Sequence, residues 1–70
     1  DYIQSNLALT KRELEILTHL SNGLSGPEIS VILQLSIHTV AHHKKSIFSK
    51  LGTTNALKTV NIARKYNLIK

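Results

Sequence analysis

The chain has 70 residues, enough for one domain and close to the lower limit for a hydrophobic core without covalent or metal staples. Because it contains no cysteine, disulfides and thiolate-ligated zinc are excluded as staples. No apolar run approaches the roughly 18 residues of a membrane span, and the first residues, Asp1-Tyr2-Ile3-Gln4, lack the basic and apolar regions of a signal peptide. We therefore expect a soluble, cytoplasmic domain; since it begins with Asp1, we expect it to be part of a longer protein.

The formal net charge is +5, and the acidic residues are confined to the first 28 positions. They are Asp1, Glu13, Glu15 and Glu28. From residue 29 onward there are seven Lys or Arg residues and no Asp or Glu. This asymmetry favours a polyanionic partner, for which nucleic acid and an anionic membrane surface are the alternatives.

The first helix is predicted from about Lys11 to Asn22. Thr10 and Glu13 have the spacing of a capping box, in which each side chain bonds to the backbone amide of the other residue. Gly23 then supplies a left-handed end. The apolar residues at helical spacing are Leu14, Ile16, Leu17 and Leu20.

The second helix is predicted from a second capping box, formed by Ser25 and Glu28, with Pro27 in the first turn where its missing amide costs nothing. It is predicted to end near Gln34. Its apolar stripe is Ile29, Ile32 and Leu33.

The third helix is predicted from Ile37 to Leu51, with Ser36 as its N-cap and Gly52 at its end. Its inner face is predicted to be Val40, Ile47 and Leu51.

The fourth helix is predicted from about Ala56 to Tyr66, and Asn67 can adopt the left-handed position that follows it. Leu68 and Ile69 are predicted to fold back as a hydrophobic lid. The inward-facing candidates of the helix are Leu57, Val60 and Ala63.

No segment keeps the period of two that marks a strand. The predicted fold is therefore all-α, with four helices and no β-wing, over residues 10–70. Residues 1–9 are predicted to be a linker or a short lead-in that contacts the core through Ile3, Leu7 and Leu9.

The second and third helices are joined by about three residues, too few for an antiparallel hairpin with extended overlap. Such a connection favours a crossing near 90–120°, which is the helix-turn-helix unit. In that unit the second helix enters the major groove of DNA and the first lies across the phosphate backbone.

A helical projection of the third helix places small, hydrogen-bonding or cationic residues on one arc of roughly 100°, opposite Val40 and Ile47. The members of this arc are His38, Ala41, His42, Lys45 and Ser49, and the first four are the predicted base-reading residues. The flanks, where phosphates would run, carry His43, Lys44 and Lys50. The alternative interpretation is a polar face that is merely solvated.

His38 and His42 have the i, i+4 spacing of zinc-binding histidines, but the sequence offers no cysteine and no nearby carboxylate as further ligands. We therefore predict no metal and no cofactor. The sequence also lacks a cysteine nucleophile, a carboxylate pair and a phosphate loop, and Glu13 and Glu28 are explained as capping residues. We therefore predict that the chain is not an enzyme.

Together these residues resemble the LuxR-type helix-turn-helix domain, also called GerE-like and shared by response regulators of the NarL/FixJ kind. The resemblance covers roughly Leu9 to Ile69 in four blocks. The blocks are Leu9-Thr10-x-Arg12-Glu13-x-Glu15-Ile16-Leu17, Gly23-x-Ser25-x-x-Glu28-Ile29-Ser30-x-x-Leu33, Thr39-Val40-x-x-His43-x-x-x-Ile47-x-x-Lys50-Leu51-Gly52, and Asn55 with Val60, Ala63, Leu68 and Ile69.

The resemblance implies roles for individual residues. It implies base contacts by Ala41, His42 and Lys45, although many relatives carry Lys in place of Ala41. It implies dimerisation through the fourth helix on inverted repeats. The positions implied to contact phosphates or to brace the recognition helix are Thr10, Ser25, Thr39, His43 and Lys50. The candidates for the dimer surface are Leu57, Asn61, Arg64 and Lys65.

The implied function is sequence-specific binding of double-stranded DNA by the C-terminal output domain of a bacterial transcriptional regulator. The resemblance implies a receiver or ligand-binding domain before it in a longer chain, with RNA polymerase as a further partner. Two alternatives remain open. Region 4 of a sigma factor has a similar helix-turn-helix but normally lacks a fourth helix, and a small helical module could present its basic face to an acidic protein.

Overall fold

The structure, a computed structural model that describes residues 9–69, consists of four α-helices without a strand in that range. They are α1 Lys11–Ser21, α2 Gly26–Leu33, α3 Ile37–Leu51 and α4 Ala56–Lys65. The predicted all-α, four-helix, wing-free fold is confirmed for this range. Each predicted helix end agrees within one residue. The predicted contacts of Ile3 and Leu7 lie outside the described residues.

The first two helices begin with the predicted capping boxes. The amide of Glu13 donates to Thr10 Oγ1 at 3.1 Å, and the amide of Thr10 donates to Glu13 Oε1 at 2.8 Å. At α2 the amide of Glu28 donates to Ser25 Oγ at 3.4 Å, and the amide of Ser25 donates to Glu28 Oε1 at 2.8 Å. These bonds satisfy amides that have no partner within the helix.

The other two helices begin with single caps. Ser36 Oγ accepts from the amide of Thr39 at 3.0 Å at the start of α3. Asn55 Oδ1 accepts from the amide of Lys58 at 2.8 Å at the start of α4. Each helix start is therefore set by a short polar side chain in extended backbone.

All four described helices end in the two backbone bonds of a Schellman motif. At the end of α2, for example, the amide of Gln34 donates to Val31 O at 3.3 Å, and that of Leu35 to Ser30 O at 2.9 Å. The motif needs one residue in the left-handed region. These residues are Gly23, Gln34, Gly52 and Asn67, with φ of +86°, +57°, +70° and +57°.

At three of the four described helix ends, the residue after the left-handed position turns the chain back to the core. Leu24, Leu35 and Leu68 occupy this place after α1, α2 and α4, and all three pack against the buried cluster. Ile69 follows and is buried, so the predicted lid is confirmed. These three helix ends are thus also apolar anchors for the following segments, whereas Thr53 takes the corresponding place after α3.

The core combines side chains from every helix, and α3 crosses its centre. The predicted inner face of α3 is confirmed, since all three of its residues are buried. The buried apolar side chains are Ile16, Leu17, Ile29, Val40, Ile47, Leu51, Val60, Ala63 and Ile69.

The prediction that Leu57 and Ile32 face the core is wrong. Leu57 is 72% exposed and Ile32 is 51% exposed. In α4 the buried side is formed by Val60, Ala63 and Thr59, whose hydroxyl donates to the Asn55 carbonyl at 2.8 Å and also bonds to the Thr53 hydroxyl. Because the Thr59 hydroxyl has hydrogen-bond partners, its burial carries no penalty for an unsatisfied polar group. With this side of α4 against the core, Leu57 faces outward.

One buried carboxylate joins α1 to α3. Glu13 is only 3% exposed, although it belongs to a surface capping box. Its Oε2 accepts from Ser46 Oγ at 2.6 Å, and its Oε1 accepts from Lys50 Nζ at 2.7 Å. Ser46 and Lys50 are one turn apart on α3, so Glu13 fixes both the distance and the rotation of that helix relative to α1.

These donors keep Glu13 ionised. Burial alone raises the pKa of the carboxyl, but the bonds from Lys50, Ser46 and the Thr10 amide outweigh it and lower the pKa to about 2. Because the pKa is lowered in the folded chain, the stabilisation is complete above about pH 4.5 and is lost as the pH falls towards 2.

We expect Glu13→Gln to lower the free energy of unfolding at neutral pH by about 2–3 kcal/mol, because the amide leaves the Lys50 ammonium without its anionic acceptor. The variant should also lose less stability than the native chain between about pH 4.5 and 2. Urea denaturation followed by circular dichroism measures both. Glu15→Gln is the matched control, since the exposed Arg12–Glu15 pair at 3.3 Å should contribute less than about 0.5 kcal/mol. Equal losses in the two variants would contradict the role of Glu13.

Gln34→Gly should stabilise the domain. A non-glycine residue in the left-handed region costs the folded state about 1–2 kcal/mol, which glycine relieves. Glycine also makes the unfolded chain more flexible, which offsets about 0.4–1 kcal/mol of this gain, so we expect a net stabilisation of about 0.5–1 kcal/mol. Asn67→Gly is the control at the same φ, where the gain should be smaller because asparagine tolerates this conformation. Thermal and urea unfolding compare the two, and a larger gain at Asn67 would refute the explanation.

Candidate nucleic-acid interface

The α2–turn–α3 unit has the connection expected of a helix-turn-helix. Only Gln34, Leu35 and Ser36 separate the two helices, and the Schellman motif together with the Ser36 cap makes the turn this tight. The start of α2 packs on α3, since a methyl group placed on Gly26 would lie 4.0 Å from Val40 Cγ1. The unit is therefore held by local bonds in the turn and by contact at its far end.

The predicted arc of α3, here called the polar face, is exposed along its length. It lies opposite the buried Val40 and Ile47. Within residues 9–69 its side chains form no hydrogen bond and no ion pair with other side chains. The polar face is His38, Ala41, His42, Lys45 and Ser49, all exposed. The structure thus leaves every predicted base-contacting residue accessible.

The two flanks of the polar face meet different helices. On the flank towards α1, Ser46 and Lys50 are bonded to Glu13, and half-buried His43 lies with its ring centroid 6.1 Å from that of His42. On the flank towards α2, a methyl group on Gly26 would lie 3.9 Å from Lys44 Nζ. Lys50 therefore has an internal partner, whereas the amine of Lys44 lies next to the N-terminus of α2.

The three hydroxyl residues assigned to phosphate contact or bracing all take part in helix caps. Thr10 and Ser25 are exposed and accept from backbone amides at the starts of α1 and α2. The Thr39 hydroxyl bonds to that of Ser36 at 2.9 Å. A hydroxyl that accepts from an amide retains its own proton, so Thr10 and Ser25 can still donate to a phosphate oxygen.

The described acidic side chains are all engaged away from the polar face. Glu13 binds Lys50, and Glu15 pairs with Arg12. The backbone amide and the hydroxyl of Ser25 lower the pKa of Glu28. The polar face and the Lys44 flank therefore carry cations and histidines without a neutralising carboxylate in the described range, whereas Lys50 on the other flank is paired with Glu13. Such an acid-free surface is suited to a polyanion.

The four candidates for the dimer surface are all exposed and share one side of α4. Leu57 and Asn61 form no described contact with the core. Arg64 donates from Nη2 to the Ser21 carbonyl at 3.2 Å, which caps the end of α1, and Lys65 Nζ lies 5.7 Å from the ring centroid of Tyr66. The outward face of α4 is thus an apolar side chain surrounded by polar ones.

Sequence reasoning missed Ser46 as a positioning residue. Ser46 and Lys50 have the i, i+4 spacing of a pair on one helix face, and this spacing was available in the sequence. The acceptor, Glu13, is 33 and 37 residues away from them, however, so the pairing depends on how α1 packs.

In the part of the chain that the structure describes, no helix is long and apolar enough to cross a membrane. Over the same residues, no three side chains of the His, Cys, Asp and Glu types are placed to hold a metal ion together.

Comparisons with known proteins agree with this geometry. The family model described as bacterial regulatory proteins, luxR family, matches residues 7–63. Fimbriae Z protein of Salmonella typhimurium is 38% identical over 64 residues, which are 91% of this chain and 30% of that protein. Oxygen regulatory protein NreC of Staphylococcus aureus is 41% identical over 61 residues, which are 87% of this chain and 28% of that protein.

A solved structure is similar as well. The crystal structure of response regulator ChrA of a heme-sensing two-component system matches with a TM-score of 0.85 and 41% sequence identity, over 87% of this chain and 30% of that chain. The chain therefore spans less than a third of the length of each of these three proteins.

The family consists of transcriptional regulators rather than enzymes, which confirms the prediction that the chain is not an enzyme. Because the family model covers most of the chain and the helix-turn-helix agrees with it, the chain belongs to the luxR family of bacterial regulatory proteins and is a DNA-binding domain of that family.

Proposed function

We propose that this domain is the output domain of a longer bacterial transcriptional regulator and binds inverted-repeat DNA as a dimer, with the polar face of α3 in the major groove. The observation that carries the proposal is the division of α3 into a buried apolar side and an exposed, acid-free polar face. A helix with one free polar face and a rigid opposite face suits insertion into a groove about 12 Å wide.

In this proposal four residues of the polar face contact bases. Lys45 donates to guanine O6 or N7, and His38 and His42 bond to purine edges. Ala41 is small enough to let the helix backbone approach the bases and to contact a thymine methyl group. The side chains start from an exposed surface, so no internal bond has to break before they bind DNA.

Phosphate contacts belong to the flanks. Lys44 and the N-terminus of α2 are adjacent and both positive, so they suit a single phosphate, to which the Ser25 hydroxyl can also donate. Thr10 and His43 are also proposed to contact phosphates. Thr39 braces the first turn of α3 through its hydrogen bond to Ser36.

Lys50 is assigned to bracing rather than to phosphate contact, because its ammonium binds the buried carboxylate of Glu13. Removing it should therefore affect stability before it affects DNA affinity. This choice separates Lys50 from Lys44, which has the same charge on the opposite flank of α3.

We further infer that two domains pair through the outward face of α4, formed by Leu57, Asn61, Arg64 and Lys65. A 72% exposed leucine on a small domain suits the centre of a small interface with a polar rim. The lengths of the relatives support a further domain in the same protein, of the receiver or ligand-binding kind. A transcriptional role would also require a cytoplasmic protein, and RNA polymerase is the further partner proposed for it.

Substitutions on α3 should separate base contacts from phosphate contacts. His42→Ala and Lys45→Ala should each weaken binding to a selected DNA site by about 1–3 kcal/mol and leave binding to a scrambled duplex almost unchanged. Lys44→Ala should weaken both duplexes alike and reduce the slope of log affinity against log salt by about one.

The sites come from in-vitro selection with the purified domain, and fluorescence anisotropy across salt concentrations measures the affinities. Lys58→Ala, which removes the same charge from exposed α4, is the control and should change neither duplex by more than about 0.5 kcal/mol. Failure to enrich any DNA sequence, together with unchanged affinity in all three α3 variants, would favour a module that binds an acidic protein.

Leu57→Asp should disrupt pairing without unfolding the domain, because a charge at the centre of an apolar contact cannot be paired there. We expect affinity for the inverted repeat to fall by about tenfold or more, to that for one half-site, since the second domain no longer adds its contacts. Thr54→Asp adds the same charge in the exposed turn before α4, and this variant should bind the inverted repeat and the single half-site as the native chain does. Unchanged affinity of Leu57→Asp for the inverted repeat would exclude this surface.

A further inference from the structure

The polar face of α3 contains two titratable groups one helical turn apart. His38 and His42 are both exposed, and His43 lies beside them, with its ring 6.1 Å from that of His42. Histidine is the only side chain whose ordinary change of charge falls between pH 5 and 8. The surface proposed to bind DNA therefore presents two exposed imidazoles one turn apart, with a third beside them.

No described carboxylate is placed to compensate these imidazoles. Glu13, Glu15 and Glu28 are bound to other groups, and none forms an ion pair with a histidine within residues 9–69. The cations of α3 itself are Lys45 on the polar face and Lys44 and Lys50 on its two flanks, and Lys50 is bonded to Glu13. The other charged or titratable groups on the helices packed against α3 are Lys11, Arg12, Glu13, Glu15 and His19 on α1, Glu28 on α2, and Lys58, Arg64 and Lys65 on α4.

We propose that DNA binding by this domain is coupled to proton uptake at His38 and His42, so that DNA affinity rises as the pH falls from about 8 to about 5.5. This inference rests on the proposed function, because it needs the polar face to lie in the groove. The imidazole nitrogens accept the protons. The phosphates of the DNA stabilise the resulting positive charge, since no described carboxylate pairs with these imidazoles.

The sign of the effect follows from charge. An imidazolium in the groove adds one positive charge near the phosphates and releases a further counterion. At a salt concentration of about 0.1 M, one such contact changes affinity by roughly tenfold, given a slope of about −0.9 per phosphate neutralised. DNA that gains affinity from the protonated form must in turn favour proton uptake by the protein, because the linkage is reciprocal.

Protonation should also change which base is preferred. A neutral imidazole has one donor and one acceptor, whereas an imidazolium donates from both nitrogens. The cation can therefore donate to guanine O6 or N7 from either nitrogen, and it loses its ability to accept from the adenine N6 amino group. Lower pH should favour guanine at positions contacted by His38 and His42.

The test is an anisotropy titration of the selected and the scrambled duplex at several values between about pH 8 and 5.5, at constant ionic strength. For the native chain we expect affinity to rise at least about tenfold over this range and the salt slope to become steeper by about one to two. In the double variant His38→Gln/His42→Gln the rise should shrink to about threefold or less, whereas His19→Gln, altered only on α1, should keep the native pH dependence.

The fold is not expected to change across this range, because the pKa of Glu13 is lowered to about 2 and its carboxylate therefore remains ionised throughout. Circular dichroism at each pH verifies this for every variant. Both substituted histidines are exposed, so the double variant should retain the native unfolding midpoint.

The outcomes separate this inference from the proposed function. Sequence-preferring binding at about pH 8 that is unaltered by acid overturns the inference and leaves the function standing. The same is true of a pH dependence that survives in the double variant, which would assign it to other groups. Absence of sequence-preferring binding at every pH overturns the proposed function and this inference with it.

Discussion

The placement of α3 depends on one buried carboxylate. Glu13 is an acceptor that must be satisfied, and its donors come from its own helix cap and from two turns of α3. An ionised carboxylate without these donors is costly to bury, so arrangements that rotate or slide α3 are disfavoured. The apolar core alone specifies direction less strictly, since hydrophobic contact is not directional. Glu13 therefore converts a packed helix into an oriented one.

The circumference of α3 is divided by function. Its buried side belongs to the core, one flank binds α1 through Ser46 and Lys50, and the other meets the start of α2 near Lys44. The remaining arc, the polar face, is exposed and open to a ligand. Because the described carboxylates are bound elsewhere, Lys45 on this arc and Lys44 beside it have a polyanion as their natural counterion. The fold and the proposed site are thus made by different residues of the same helix.

The features that could be predicted from the sequence are those with local causes. A hydroxyl three residues before a glutamate predicts a capping box wherever the chain folds, and a 3.6-residue period predicts the inner face of a long helix such as α3. The polar face followed from the same period. Periodicity does not say which neighbour covers a residue, so Leu57 and Ile32 were wrongly placed in the core. The left-handed Gln34 and the partners of Glu13 depend on the turn and on packing between distant segments.

The exposed polar face also bears on how such a domain can diversify. Its side chains form no hydrogen bond or ion pair with other side chains of the described fold, and they lie outside the buried cluster. Exchange of these residues is therefore nearly neutral for stability. New combinations at these positions can arise without compensating changes in the core, so related regulators can acquire different DNA targets on one unchanged scaffold. In this chain the freedom has been used to place two histidines where the groove would be.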